Sequence, residues 1–178
     1  NQRWEIAYYD DRARVLENSA AYPRGWLVHE TQIASQAIAL ASIESGSVDP
    51  RTVALLEPGA AQPDLAIPDD SGDESVLVDF YSADKIRFSV RADAPGIVVV
   101  GEIFDSGWTA YVDGNHVEIL QVDGVLRGIP VDEGEHSVEL RYMPHSITAG
   151  IGITGLTLLT LVASLIATRR SGMFRGSD

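Results

Sequence analysis

A chain of 178 residues with 45% apolar residues and a mean hydropathy of +0.02 has room for one domain with a real core plus an appendage, but not for two large domains. Its formal net charge of −13 repels phosphate backbones and argues against nucleic acid as a partner. Cysteine is absent, which excludes a disulfide framework, a thiolate metal site and a Cys nucleophile.

Trp4 to Tyr9 and Ala13 to Glu17 predict two short strands joined through Asp10-Asp11, followed by the turn-rich stretch Asn18 to Gly25 and a short strand at Trp26 to Val28. From Thr31, as N-cap, Ile33, Ala34, Ala37, Ile38 and Ala41 recur at three and four residues and predict one face of an amphipathic helix that Gly46 ends. Residues 1–50 thus read as a small α+β segment. Asp49-Pro50 turns the chain into a strand at Thr52 to Leu56, and Glu57 to Asp73, with three prolines, reads as an irregular connection.

Short strands at regular spacing follow. Val76, Val78 and Phe80 alternate with Leu77, Asp79 and Tyr81, and Ile86, Phe88 and Val90 alternate with Lys85, Arg87, Ser89 and Arg91. Ile97 to Val100 is a continuous apolar run, as in a strand covered on both faces. Trp108, Ala110 and Val112 then share the inward phase, and Tyr111 points the other way. Asp113-Gly114 predicts a tight hairpin, because glycine tolerates the positive φ such a turn needs, with His116 to Leu120 as the returning strand. Val125 to Val131 gives another strand, and in the last one Val138, Leu140 and Tyr142 face inward. The pattern predicts a mainly β fold: an antiparallel two-sheet β-sandwich over 51–146, with the α+β segment before it and one C-terminal transmembrane helix after it.

That helix is predicted over Ile147 to Thr168, an uncharged stretch that would span about 33 Å against a bilayer core of about 30 Å. Within it Gly150, Thr154 and Thr157 share one face suited to close helix packing in the membrane. The tail 169–178 carries Arg169, Arg170 and Arg175 against Asp178 alone, which leaves 10 of the 13 Lys and Arg and 25 of the 26 Asp and Glu in residues 1–146. Arg169 and Arg170 predict a cytoplasmic tail and an extracytoplasmic N-terminal part in a cell membrane. The opening NQRWEIAYYDD carries no export signal, so a C-terminal piece of a longer membrane protein is expected.

Candidate chemistry is sparse. Gly150, Gly152 and Gly155 match the letters of a dinucleotide fingerprint but lie inside the apolar stretch without a preceding strand. The acidic run Asp69 to Glu74 lacks calcium-loop spacing, and the four histidines show no pair at i, i+4, so no metal and no cofactor is expected. No catalytic residue is identified. Tyr111, Trp26 and Tyr22 are the candidate glycan contacts, since aromatic faces can stack on sugar rings; Trp108, in the inward phase, reads as core.

Two places carry a resemblance. Leu16-Glu17-Asn18 followed by Tyr22-Pro23-Arg24 and by the run Asp49 to Glu57 is one; the other is Gly107 to Gly114, Leu126 to Val131, Gly134 to His136 and Val138 to Pro144. Both are similar to the C-terminal region of YfhO-type bacterial membrane proteins, polytopic proteins related to the GT-C glycosyltransferases. This chain departs from that pattern at Asp105-Ser106, where the family has an aromatic residue and proline. The resemblance implies a parent that transfers sugar from a polyprenyl-phosphate donor to a cell-envelope glycopolymer. Its acidic catalytic residue would lie upstream of this chain, which would be accessory. Expected partners are the lipid bilayer, upstream transmembrane helices of the parent and an envelope glycan or lipid-linked sugar. The alternatives are a single-pass surface protein with a glycan- or protein-binding β-sandwich and, against the charge rule, a tail-anchored cytoplasmic protein.

Overall fold

The computed structural model describes residues 4–69, 72–144, 150, 153–164 and 166. In chain order come β1 (Trp4–Tyr9), β2 (Arg14–Asn18), β3 (Gly25–Val28), β4 (Glu30–Ile33), α1 (Gln36–Ser45), β5 (Val53–Leu56), β6 (Ser75–Tyr81) and β7 (Lys85–Ala92). They continue with β8 (Gly96–Ile103), β9 (Trp108–Val112), β10 (Asn115–Val117), β11 (Leu120–Val122), β12 (Leu126–Val131) and β13 (Gly134–Tyr142). A five-stranded sheet has the order β10-β9-β13-β7-β6, and a six-stranded sheet the order β3-β8-β12-β11-β5-β4. β1 and β2 form a separate two-stranded sheet.

Alternation builds the five-stranded sheet. Ile86, Phe88, Val90 and Ala92 of β7 are buried, and β13 lies beside them in register, with Val138 opposite Phe88 and Leu140 opposite Ile86. These side chains meet Val98 and Val100 of β8 and Ile129 and Val131 of β12 from the six-stranded sheet, forming the larger core cluster. The intervening residues of β8, Ile97 and Val99, point the opposite way and join Val28, Leu56, Leu120 and Val122 in a second cluster. The six-stranded sheet is therefore covered on both faces, which is why β8 is apolar at consecutive positions rather than at alternate ones. Each such side chain stabilises the fold by about 1.5–3 kcal/mol through burial alone.

Four expectations are corrected. First, no helix among the described residues is long and apolar enough to cross a membrane, so the C-terminal transmembrane helix over 147–168 is not supported. Arg169 and Arg170, on which the predicted topology rested, lie outside the described residues. Second, a purely antiparallel two-sheet β-sandwich is not what forms: β4 and β5 pair in parallel, and β1–β2 adds a third sheet.

Third, Glu30–Ile33 is strand β4 rather than the first turn of the helix, because its backbone pairs with β5, Thr31 opposite Ala54. Helix α1 starts after Ser35 and buries Ala39 in place of the Ala37, Ile38 and Ala41 stripe, which is exposed. It does end where glycine predicts: Gly46 adopts φ 72 and its N–H meets the last-turn carbonyls. Fourth, His116 to Leu120 is not one strand. β10 pairs with β9, after which the chain crosses to the other sheet as β11, with Val117 and Ile119 packed on the core during the crossing. Because β3 and β4 join β8 and β5 through backbone hydrogen bonds, residues on both sides of position 50 build the six-stranded sheet.

Candidate functional site

The turn between β11 and β12 contains Asp123-Gly124, both at positive φ (54° and 78°), like Asp113-Gly114 at the β9–β10 turn (52° and 82°). Asp123 is 2% exposed, a placement that a turn aspartate does not ordinarily take. It holds the turn against β5 in two ways: its N–H donates to the Leu55 carbonyl (2.8 Å), and its Oδ1 accepts from the Leu55 N–H (2.9 Å). Its Oδ2 is buried and has no hydrogen-bond partner. Burial pushes the carboxyl up to about 6, with the Leu55 N–H opposing that rise.

Helix α1 closes over this turn. Gln36 Nε2 donates to the Gly124 carbonyl at 2.9 Å and Gln121 Nε2 donates to the same oxygen at 2.6 Å. A Cβ on Gly124 would lie 3.2 Å from both the Gln36 carbonyl oxygen and Leu40 Cγ, so the helix approaches this closely only because position 124 is glycine. Between helix, turn and the start of β3 lies a cavity of about 550 Å3, bordered by Tyr22 and Trp26 on one side, Leu40 and Ile43 on another, and Asp123.

Tyr22 and Trp26 face each other there with ring centroids 5.4 Å apart. Trp26 is oriented by its Nε1, which donates to the Pro50 carbonyl at 2.7 Å, and the Arg51 guanidinium lies 4.5 Å over the Tyr22 ring. Arg24 also borders the cavity, and its Nη1 donates to Glu102 Oε1 at 2.6 Å and to the Tyr81 hydroxyl at 3.2 Å. The cavity lining includes no second carboxylate and no His, Ser or Cys. Such a lining can hold and orient a ligand.

Of the three aromatic residues expected to meet a glycan, two are brought together and the third is elsewhere. Tyr111 lies on β9 in the other sheet, opposite Glu139 of β13, with the Arg141 guanidinium 5.0 Å from its ring. Glu139 is the hub of that surface, pairing with Lys85, Arg87 and Arg141, and these contacts, the Lys85 hydrogen bond foremost, hold its carboxyl down to about 2. Trp108 packs against the larger core cluster as its phase predicted, with the buried Arg127 guanidinium 4.3 Å over its ring. Gly150, Thr154 and Thr157 are exposed; the Thr157 hydroxyl donates to the Ile153 carbonyl (2.9 Å), back into its own helix. Among the described residues no group of three or more His, Asp or Glu is placed to hold a metal ion.

Asp123 was missed in the sequence, although the same Asp-Gly dipeptide was recognised ten residues earlier; that repeat is the signal that could have found it. Comparison with known proteins bears on the same strands. Residues 81–154 match the family model described as bacterial membrane protein YfhO. No curated protein and no solved structure matches the chain. The matched stretch runs from the end of β6 through β13 and includes Gly101, Asp123, Val125 and Leu126 of the cavity wall. From β7 through β13, therefore, this chain is similar to the family described as bacterial membrane protein YfhO.

Proposed function

We propose that the chain is an accessory, non-catalytic part of a larger, polytopic YfhO-like membrane protein. That protein transfers a sugar from a polyprenyl-phosphate donor to a cell-envelope glycopolymer, and residues 1–146 lie on the acceptor side of the membrane. The match of residues 81–154 to the YfhO model carries this reading. The cavity supports the non-catalytic role, because Asp123 is its sole carboxylate among the described residues and no nucleophile accompanies it.

The test is removal of residues 1–146 from the full protein in its own cells, with protein abundance in the membrane matched. Glycosylation of the envelope polymer should fall sharply. Polymer glycosylated to the same extent with and without the region would overturn the proposal.

A further inference from the structure

The cavity beneath α1 combines features that single out one kind of ligand. Its volume of about 550 Å3 lies within the roughly 300–1,000 Å3 of small-molecule sites. Its hydrogen-bonding groups are unequally used. Trp26 Nε1 is taken by Pro50, and Arg24 Nη1 by Glu102 and Tyr81. Asp123 Oδ2 alone is left buried without a donor, at a position where an unsatisfied carboxylate oxygen is costly. What Asp123 Oδ2 calls for, then, is a hydrogen-bond donor.

The sign of that vacancy excludes several ligand classes. A phosphate or carboxylate would bring a second negative charge against Asp123. An ammonium group would satisfy Asp123, but it would have to sit beside the aromatic pair that Arg51 already covers and close to Arg24, where two guanidinium groups oppose another cation. A neutral molecule with hydroxyl donors meets neither obstacle. The Tyr22 and Trp26 rings, tilted by 48° to each other, add aromatic surface, and a pyranose ring suits both, with hydroxyls at its edge and C–H bonds on its face.

We infer that this cavity binds one pyranose unit of a glycan, a ring hydroxyl donating to Asp123 at the cavity wall and the C–H face lying on Trp26. The choice of a glycan over another polyol rests on the accessory role proposed above; the aromatic cavity with a donor-deficient carboxylate does not. Because the hydroxyl favours the ionised carboxylate, binding strengthens as pH rises through the range where Asp123 ionises, and it weakens below.

The test uses the 178-residue chain labelled with 15N at tryptophan, whose three indole N–H signals come from Trp4, Trp26 and Trp108. Glucose, galactose and N-acetylglucosamine are titrated separately at pH 7.0 and pH 5.0, and tetramethylammonium serves as a cationic control. At least one sugar should shift the Trp26 signal saturably, more tightly at the higher pH, with Trp4 and Trp108 unmoved. Asp123→Asn should remove the pH dependence and weaken binding about tenfold, the scale of one lost charge-assisted hydrogen bond. Leu40→Trp, which fills the cavity from α1, should abolish the shift while the Trp108 signal reports an intact core.

No Trp26 shift with any of the three sugars, equal shifts at all three tryptophans, or a Trp26 shift with tetramethylammonium alone would overturn the inference. Failure of the accessory reading looks different. Sugar would bind the isolated chain, yet cells lacking residues 1–146 would glycosylate their polymer normally.

Discussion

Replacing Asp123 with Asn should flatten the pH dependence of stability. Asp123 is raised from an ordinary 3.8 to about 6 by burial, so between those values the folded chain binds more protons than the unfolded chain. Its contribution is fully present below the unfolded value and is lost as pH rises through about 6. A rise of about two pKa units, at about 1.36 kcal/mol each, amounts to about 3 kcal/mol. Asn keeps an oxygen for the Leu55 N–H and tolerates the positive φ at this position, yet cannot titrate. Urea unfolding of both proteins at pH 4.0 and pH 7.0 gives four free energies. The wild type should lose about 2 kcal/mol more than the variant between the two pH values, because at pH 4.0 the unfolded carboxyl is already more than half ionised. Any constant cost of the buried amide cancels in that difference, as do titrations common to both proteins. Parallel pH profiles would refute the reasoning, and with it the claim that Asp123 is buried without a donor.

Three further substitutions probe the frame around the site. Gly128→Ala would place a Cβ 2.7 Å from Val122 Cγ1 and 2.9 Å from Ile97 Cγ2, both side chains fully buried, and should lower unfolding free energy by about 1–3 kcal/mol in urea. Gly124→Ala combines a left-handed φ with a Cβ 3.2 Å from the Gln36 carbonyl oxygen; it should cost more than about 1 kcal/mol and speed hydrogen exchange in α1 ahead of β7 and β13. Glu139→Gln acts with the opposite pH sign to Asp123. The Glu139 carboxyl lies well below its ordinary 4.5, at about 2, so its stabilisation is present above 4.5 and is lost as pH falls toward 2. In acid titrations followed by circular dichroism the wild type should lose more stability over that interval than the variant, by no more than about 1 kcal/mol after solvent screening.

Residues 85–92 and 134–142 were legible in the sequence because each strand presents one face to the core and one to solvent. Their apolar residues therefore alternate, and β7 and β13 pair over nearly their full length. The Asp113-Gly114 turn was legible for a local reason too, the positive φ that glycine supplies. What escaped depends on contacts distant in sequence. Asp123 is an acidic turn residue by composition, and only the docking of α1 and β5 onto the turn buries it. Glu30–Ile33 has helical spacing toward Ala37, yet pairing with β5, more than twenty residues later, makes it a strand. Tyr22 and Trp26 were singled out as aromatic groups and meet across one cavity. Tyr111, chosen on the same grounds, is separated from them because β9 belongs to the other sheet. Uncharged composition over 147–168 matched a membrane span in length, yet no helix among the described residues is long and apolar enough to cross a membrane.

The central claim, that this region holds a ligand and does not perform chemistry, is tested most directly by steady-state transfer kinetics on the full protein with Leu40→Trp in place. Sugar transfer to purified envelope polymer is measured against acceptor concentration at saturating polyprenyl-phosphate donor. The account predicts a KM for acceptor raised about tenfold or more with kcat unchanged, as when binding shared by ground and transition states is removed. A kcat that collapses while KM for acceptor holds would place the cavity in the catalytic machinery and contradict the account.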